Sequence, residues 1–214
     1  MGTAVNVIED WASTDPEKVG LYVSSKGVIL RWLNEAQLRY AVKSECLRDV
    51  WSPTITSTGN IALPTDFIRE IKDRVKLNDS VVLTQLSFAD ARNFTFSGTN
   101  YYSINDGTFY VWTEAECTPT IPYIKKPTAI TIATLPTADL EIPTESHHDL
   151  FLYFDSMFAR IPRTSIGRDG NTVYRSDIAG SLELLKQFDS EAEDEKYQYL
   201  YSNEPTPTVR SGLF

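Results

Sequence analysis

Histidine, cysteine and methionine are scarce in this 214-residue chain, at two of each. Cys46 and Cys117 lie far apart and make no CxxC or zinc-ligand spacing, so a zinc module is excluded and two buried or half-buried thiols of a reducing compartment are expected. No apolar run approaches the length of a membrane span, which predicts a soluble chain with no membrane partner. MGTAVNVIEDWAS lacks a basic n-region and a long apolar core, so no secretory signal is expected. Gly2 does not complete a myristoylation motif, because position six is Asn6 rather than Ser or Thr. The phosphate-cradling GxxxxGKS or GxxxxGKT, the dinucleotide GxGxxG, the GxSxG elbow and the calcium-loop DxDxDG are all missing. No nucleophile, base and orienting acid can be named, which argues against an enzyme and against a cofactor.

What is present is acid and apolar surface. The chain has 29 acids against 20 bases, a net charge of −9, which repels phosphates and makes tight or sequence-specific DNA binding a poor fit. A hydrophobic content of 42%, with 12% aromatic, is ample for a packed core and excludes disorder of the whole chain.

Along the chain, Thr3 to Ala12 suits a short helix, and TDPEKVG is expected to break it at Pro16 and Gly20. Ile29, Leu33, Ala36 and Tyr40 then form a helical stripe, thickened by Trp32, which predicts a helix from about Ser25 to Leu47 with a serine as N-cap. The middle is rich in Thr, Pro and Gly. SVVLTQLSF (Ser80 to Phe88) reads as a β-branched strand after the turn-like Leu77-Asn78-Asp79. YYSINDGTFYVW (Tyr101 to Trp112) is the clearest hairpin, since Asp106-Gly107 supplies the positive φ angles of its turn. IPYIKKPTAITIATLP reads as another strand, with prolines confining it to an edge or breaking it. Phe67, Ile68, Ile71 and Val75 have helix-like spacing, yet Leu63-Pro64 and the short length also suit a turn feeding a strand. From Pro143 the helical period returns through Leu150, Phe151, Phe154, Met157, Phe158 and Ile161. A polar loop is expected at 162–171, then a helix on Ile178, Leu182, Leu185 and Phe188, then an extended tail. The expected class is α+β: a helical bundle core from the N- and C-terminal helices, an inserted antiparallel β-rich segment and an extended C-terminal tail. The expected division is N-terminal helices at 1–50, the β-rich segment at 51–142, C-terminal helices at 143–202 and the tail at 203–214, in all one domain.

Three features invite a chemical reading. Neighbouring helix residues point about 100° apart, so His147 and His148 cannot share a metal from a regular helix. The simpler reading makes Thr144 or Ser146 a cap, with Glu145 and Asp149 in the first turn where the helix dipole favours acids. Asp189, Glu191, Glu193, Asp194 and Glu195 read as a solvated helix face. The hairpin aromatics resemble a base-stacking platform only superficially, because Asp106, Glu114 and Glu116 stand where bases would be needed, and cross-strand packing is expected.

Four pieces in order carry a resemblance: ILRWLNEAQLRYA (Ile29 to Ala41), IALPTDF (Ile61 to Phe67), INDGTFYVW followed by PYIKKPTAI, and EIPTESHHDLFLYF (Glu141 to Phe154). Together they resemble the first long helix, the LP.DF turn, the hairpin with its Y..KP strand and the IP...H..L helix start of tailed-phage head-to-tail adaptor proteins. The 162–172 loop and the C-terminal extension fall outside that pattern. The resemblance implies a non-enzymatic virion protein, assembled in the host cytoplasm and sited in the neck. There it would form a homo-oligomeric ring, typically twelve-fold, that joins the portal protein to tail or stopper proteins. Double-stranded DNA would pass through its lumen without sequence-specific binding. It also implies a C-terminal portal grip, for which Arg210, Leu213 and Phe214 are the candidate contacts. The alternatives are a stopper or tail-tube protein of the same neck, a generic protein-binding module, and, in another class, a small metal-dependent enzyme or regulator using His147 or His148.

Overall fold

A computed structural model describes residues 3–55, 59–71, 74–78, 80–93, 101–112, 118–166 and 172–202. The fold is α+β and divides into two compact units, a helical one made of residues 1–46 with 129–214 and a sheet-rich one of Leu47–Thr128.

The helical unit begins with α1 (Ala4–Ser13), where Thr3 caps the helix by accepting from the Asn6 N–H. Its Val7, Ile8 and Trp11 fall on one buried face. The expected break at TDPEKVG is instead a second helix, α2 (Pro16–Ser24). Proline at the first helical position lacks only an N–H that would have no partner there, and Asp15 accepts from the Glu17 N–H at 2.7 Å. The next helix, α3 (Lys26–Ser44), follows the predicted stripe but ends three residues early, at Glu45 in the left-handed region (φ 54°). Ser25 precedes it without a side-chain cap bond.

A 3₁₀ turn (Thr144–His148) leads into α5 (Asp149–Ala159), and α6 (Ile178–Ser202) follows after a hairpin. That hairpin pairs β10 (Arg163–Ile166) with β11 (Thr172–Arg175) across the segment expected to be a polar loop. Its strands lack the apolar alternation that marks a half-buried strand, so sequence pattern alone does not reveal them. Asp177 starts α6 by accepting from the Gly180 N–H at 2.8 Å and ties back by donating its own N–H to the Ala159 carbonyl.

The terminal helices pack together as expected, around one apolar core. Trp11 sits in it fully buried, edge-on to Trp32, Phe154 and Phe158 at 5.4–6.4 Å. Its indole N–H donates to Asp155 at 2.7 Å, and Lys18 pairs with the same carboxylate at 2.6 Å. Residues 129–142 belong to this unit: Ile130, Leu135, Leu140 and Ile142 enter its core, and Asn34 clips Ile130 by a two-way bond at 2.8 Å.

In the sheet-rich unit, β9 (Pro119–Lys125) is central, not an edge. It pairs β1 (Arg48–Trp51) on one side and, on the other, β3 (Phe67–Glu70) and β4 (Lys76–Leu77), with β5 (Val81–Val82) beyond β4. Pro122 is tolerated because of where its missing N–H falls. The Lys125 N–H donates toward β1, so alternation turns Pro122 to the other side, where its carbonyl accepts from Ile71 between the end of β3 and the start of β4. The ambiguous Phe67 segment is thereby a strand. SVVLTQLSF is not one strand but two: β5 joins β4, and β6 (Thr84–Gln85) runs parallel to β7 (Tyr101–Asn105). Buried Leu83 separates them, with its N–H on the Val75 carbonyl, and a short helix α4 (Phe88–Asn93) follows. The second sheet runs β2 (Gly59–Ala62), β8 (Thr108–Trp112), β7, β6. Asp106 (φ 46°) and Gly107 (φ 68°) make the β7–β8 turn as predicted.

Candidate functional site

The histidine pair occupies the 3₁₀ turn, where successive residues still face different ways. His147 is 9% exposed, with Nε2 3.3 Å from the Ile142 carbonyl. Burial holds its pKa below the ordinary imidazole value, an effect the Ile142 carbonyl and Glu145 oppose. His148 is exposed and lies 5.1 Å from the Phe151 ring. The expected Thr144 or Ser146 cap is absent, because the chain enters α5 through backbone turns such as Ser146 N–H to Pro143 carbonyl at 3.1 Å. Ser146 is buried instead. Among the described residues no group of three or more His, Cys, Asp or Glu side chains is placed to hold a metal ion.

Tyr40, from α3, sits fully buried beneath this turn and donates to Asp149 Oδ2 at 3.3 Å. Burial pushes the Tyr40 hydroxyl well above the usual phenol value. Burial likewise raises the Asp149 carboxyl, against the Tyr40 hydrogen bond and with Glu191 adding to the rise. Tyr153 donates to Glu35 at 3.2 Å, and burial with that neighbouring charge pushes it up to about 12.

The acidic run on α6 is not a uniformly solvated face. Arg39 forks onto Asp189 with two bonds of 2.7 Å, Lys43 reaches Glu193 at 2.6 Å, and Lys196 of α6 reaches back to Glu45 at 2.8 Å. The matched order of these pairs means that α3 and α6 run parallel. The Arg39 hydrogen bonds hold Asp189 below the usual carboxylate range. Glu195 is half-buried and goes the other way, raised by desolvation and then by Glu145 and Asp149. Sequence reading missed this seam because its partners lie 150 positions apart; alternating Arg39 and Lys43 at helical spacing is the one signal that pointed to it.

The hairpin aromatics pack across strands as expected. Tyr102 stacks on Phe109 at 5.6 Å, Trp51 meets Phe109 edge-on at 6.1 Å, and Tyr110 lies between Phe88 and Trp112. Apolar side chains also remain at the surface: Val19 and Val23 one turn apart on α2, with Val23 72% exposed, and Ile178 and Leu182 one turn apart on α6. Arg210, Leu213 and Phe214 lie outside the described residues, as do Glu114, Glu116 and Cys117.

The chain belongs to the SU10 adaptor protein family, whose model matches residues 2–196. It is a phage head–tail adaptor, structural rather than catalytic. No curated protein matches it.

Proposed function

We propose that this protein forms the head-to-tail adaptor ring of a tailed phage, twelve-fold, seated between portal and tail in the virion neck after assembly in the host cytoplasm. Double-stranded DNA passes through its lumen without sequence-specific binding. The observation that carries this reading is the family match over nearly the whole chain. Two physical features support it. Exposed valine, isoleucine and leucine side chains in the helical unit give neighbouring copies apolar surface to cover. A net charge of −9 disfavours gripping a passing polyanion. In this reading the C-terminal tail holds the portal, with Arg210 pairing to a carboxylate and Leu213 and Phe214 filling apolar pockets.

Electron microscopy of the purified protein mixed with portal rings tests this directly. A ring of density at the portal exit is expected, and the same ring is expected in virions. A protein that stays unbound to portal and is absent from virions would overturn the reading. Removing residues 204–214 should abolish docking while leaving the circular dichroism unchanged; undiminished docking would refute the role of the tail.

A further inference from the structure

We propose that the outer face of α2 is a socket between neighbouring copies, and that it takes Ile178 and Leu182 of α6 from the next copy. The inference rests on the ring reading and says which faces meet in it. At about 100° per residue, α2 turns Lys18, Leu21 and Tyr22 inward and Pro16, Val19, Gly20 and Val23 outward. An ordinary surface helix does the reverse, keeping its lysine in water and its valines inside. Lys18 is held in by its partners. Its side chain is 12% exposed, pairs with Asp155 at 2.6 Å, donates to Thr14 Oγ1 at 2.9 Å and lies 5.1 Å over the Trp11 ring. The outer face carries no charge, and Val19 and Val23 on it are exposed. Exposing valines while desolvating a lysine is unfavourable for an isolated chain, and apolar surface from a partner on that face offsets it.

Two observations select a second copy as that partner. Gly20 costs a helix interior stability relative to alanine, yet an added Cβ there meets no atom within 4 Å, so no contact among the described residues calls for a glycine. A side chain from outside, seated over the bare backbone between Val19 and Val23, does. The helical unit also carries a matching pair: Ile178 and Leu182, four apart like the valines, are 52% and 50% exposed. The two pairs stand on nearly opposite sides of α5. Phe154, Asp155 and Phe158 face α1 and α2 through Trp11 and Lys18, whereas Tyr153 and Arg160 face α6 through Phe188 at 5.5 Å and Ser181 at 2.6 Å. One copy thus offers the socket on one side and the ridge on the other, the head-to-tail arrangement that closes into a ring. An uncharged face gives the phosphates of DNA nothing to bind.

Cysteine cross-linking of the full-length protein tests the contact. Val23→Cys and Leu182→Cys are placed in one chain that also carries Cys46→Ser and Cys117→Ser, and a short bismaleimide is added to the protein alone and to the protein mixed with portal rings. The expected product is a ladder of covalent multimers whose linked peptides join position 23 of one copy to position 182 of the next. Rings seen by electron microscopy in which these positions never link would overturn the assigned faces and leave the ring reading standing. No multimer in either preparation would overturn both. Links within one chain, or from position 23 to position 23 of another copy, would overturn the head-to-tail contact. If the variant loses its helical circular dichroism, Val19→Cys with Ile178→Cys, native cysteines kept, replaces it and is read by its linked peptides in the same way. Gly20→Leu, added to the cross-linking variant, should leave the circular dichroism unchanged and abolish the ladder; an undiminished ladder would overturn the seat at Gly20.

Discussion

Arg39 and Asp189 show how far one pair of side chains carries the helical unit. The fork is bidentate at 2.7 Å, but the Arg39 side chain is 40% exposed, so solvent screens it and its worth is that of a good surface pair, about 1 kcal/mol. The arginine depresses the Asp189 pKa, so the pair contributes fully above the unfolded carboxylate value and is lost as pH falls through the folded one. Arg39→Gln should therefore lower stability by about 1 kcal/mol at neutral pH, with the gap from wild type closing toward pH ~3, as urea unfolding at the two pH values would show. A gap of constant size would mean that Arg39 acts through packing of its aliphatic stem. The histidines teach the opposite lesson at this scale. Side by side they look like chemistry, yet one is buried on the Ile142 carbonyl and the other rests against Phe151. Adjacency in sequence was enough to predict that they would not converge.

At the level of elements, the parts with their own periodicity or turn chemistry were legible. The Ile29–Tyr40 stripe, the Asp106-Gly107 hairpin and the Leu150–Phe158 face each carry their signal within a few residues. The parts set by distant partners were not. The central position of β9 depends on β1 and β3, whose paired residues lie 53–76 positions earlier, and Pro122 looked disqualifying until its neighbours fixed which side lacked a donor. Pro16 misled for another reason, since proline ends a helix in its interior but starts one at its first position. Two glycines make these rules measurable, because an added Cβ meets no atom within 4 Å at either. At Gly107 the backbone is left-handed, so Gly107→Ala should cost about 1–2 kcal/mol through conformation alone. At Gly20, inside α2, Gly20→Ala should instead stabilise by up to about 1 kcal/mol. Opposite shifts of the urea midpoint are expected. Shifts of the same sign would show that unfolded-state entropy or contacts elsewhere outweigh backbone preference.

For the whole molecule, the two units have separate hydrophobic cores with no residue in common. One is centred on Trp11, Ile29, Leu33 and Phe154, the other on Tyr102, Phe109, Val111 and Ile121. Cooperative units of this kind open with their own free energies, which amide exchange reads segment by segment. Ile29→Val and Ile121→Val are matched probes, since both side chains are fully buried and each loses one methylene, about 0.5–1.5 kcal/mol. Ile29→Val should accelerate the slowest exchange in α3 and α5 roughly 2- to 12-fold, the equivalent of that loss, and leave β7–β8 at its wild-type rate. Ile121→Val should do the reverse. If either change speeds both units equally, the chain unfolds as one cooperative block, and its two cores are a division of packing without a division of stability.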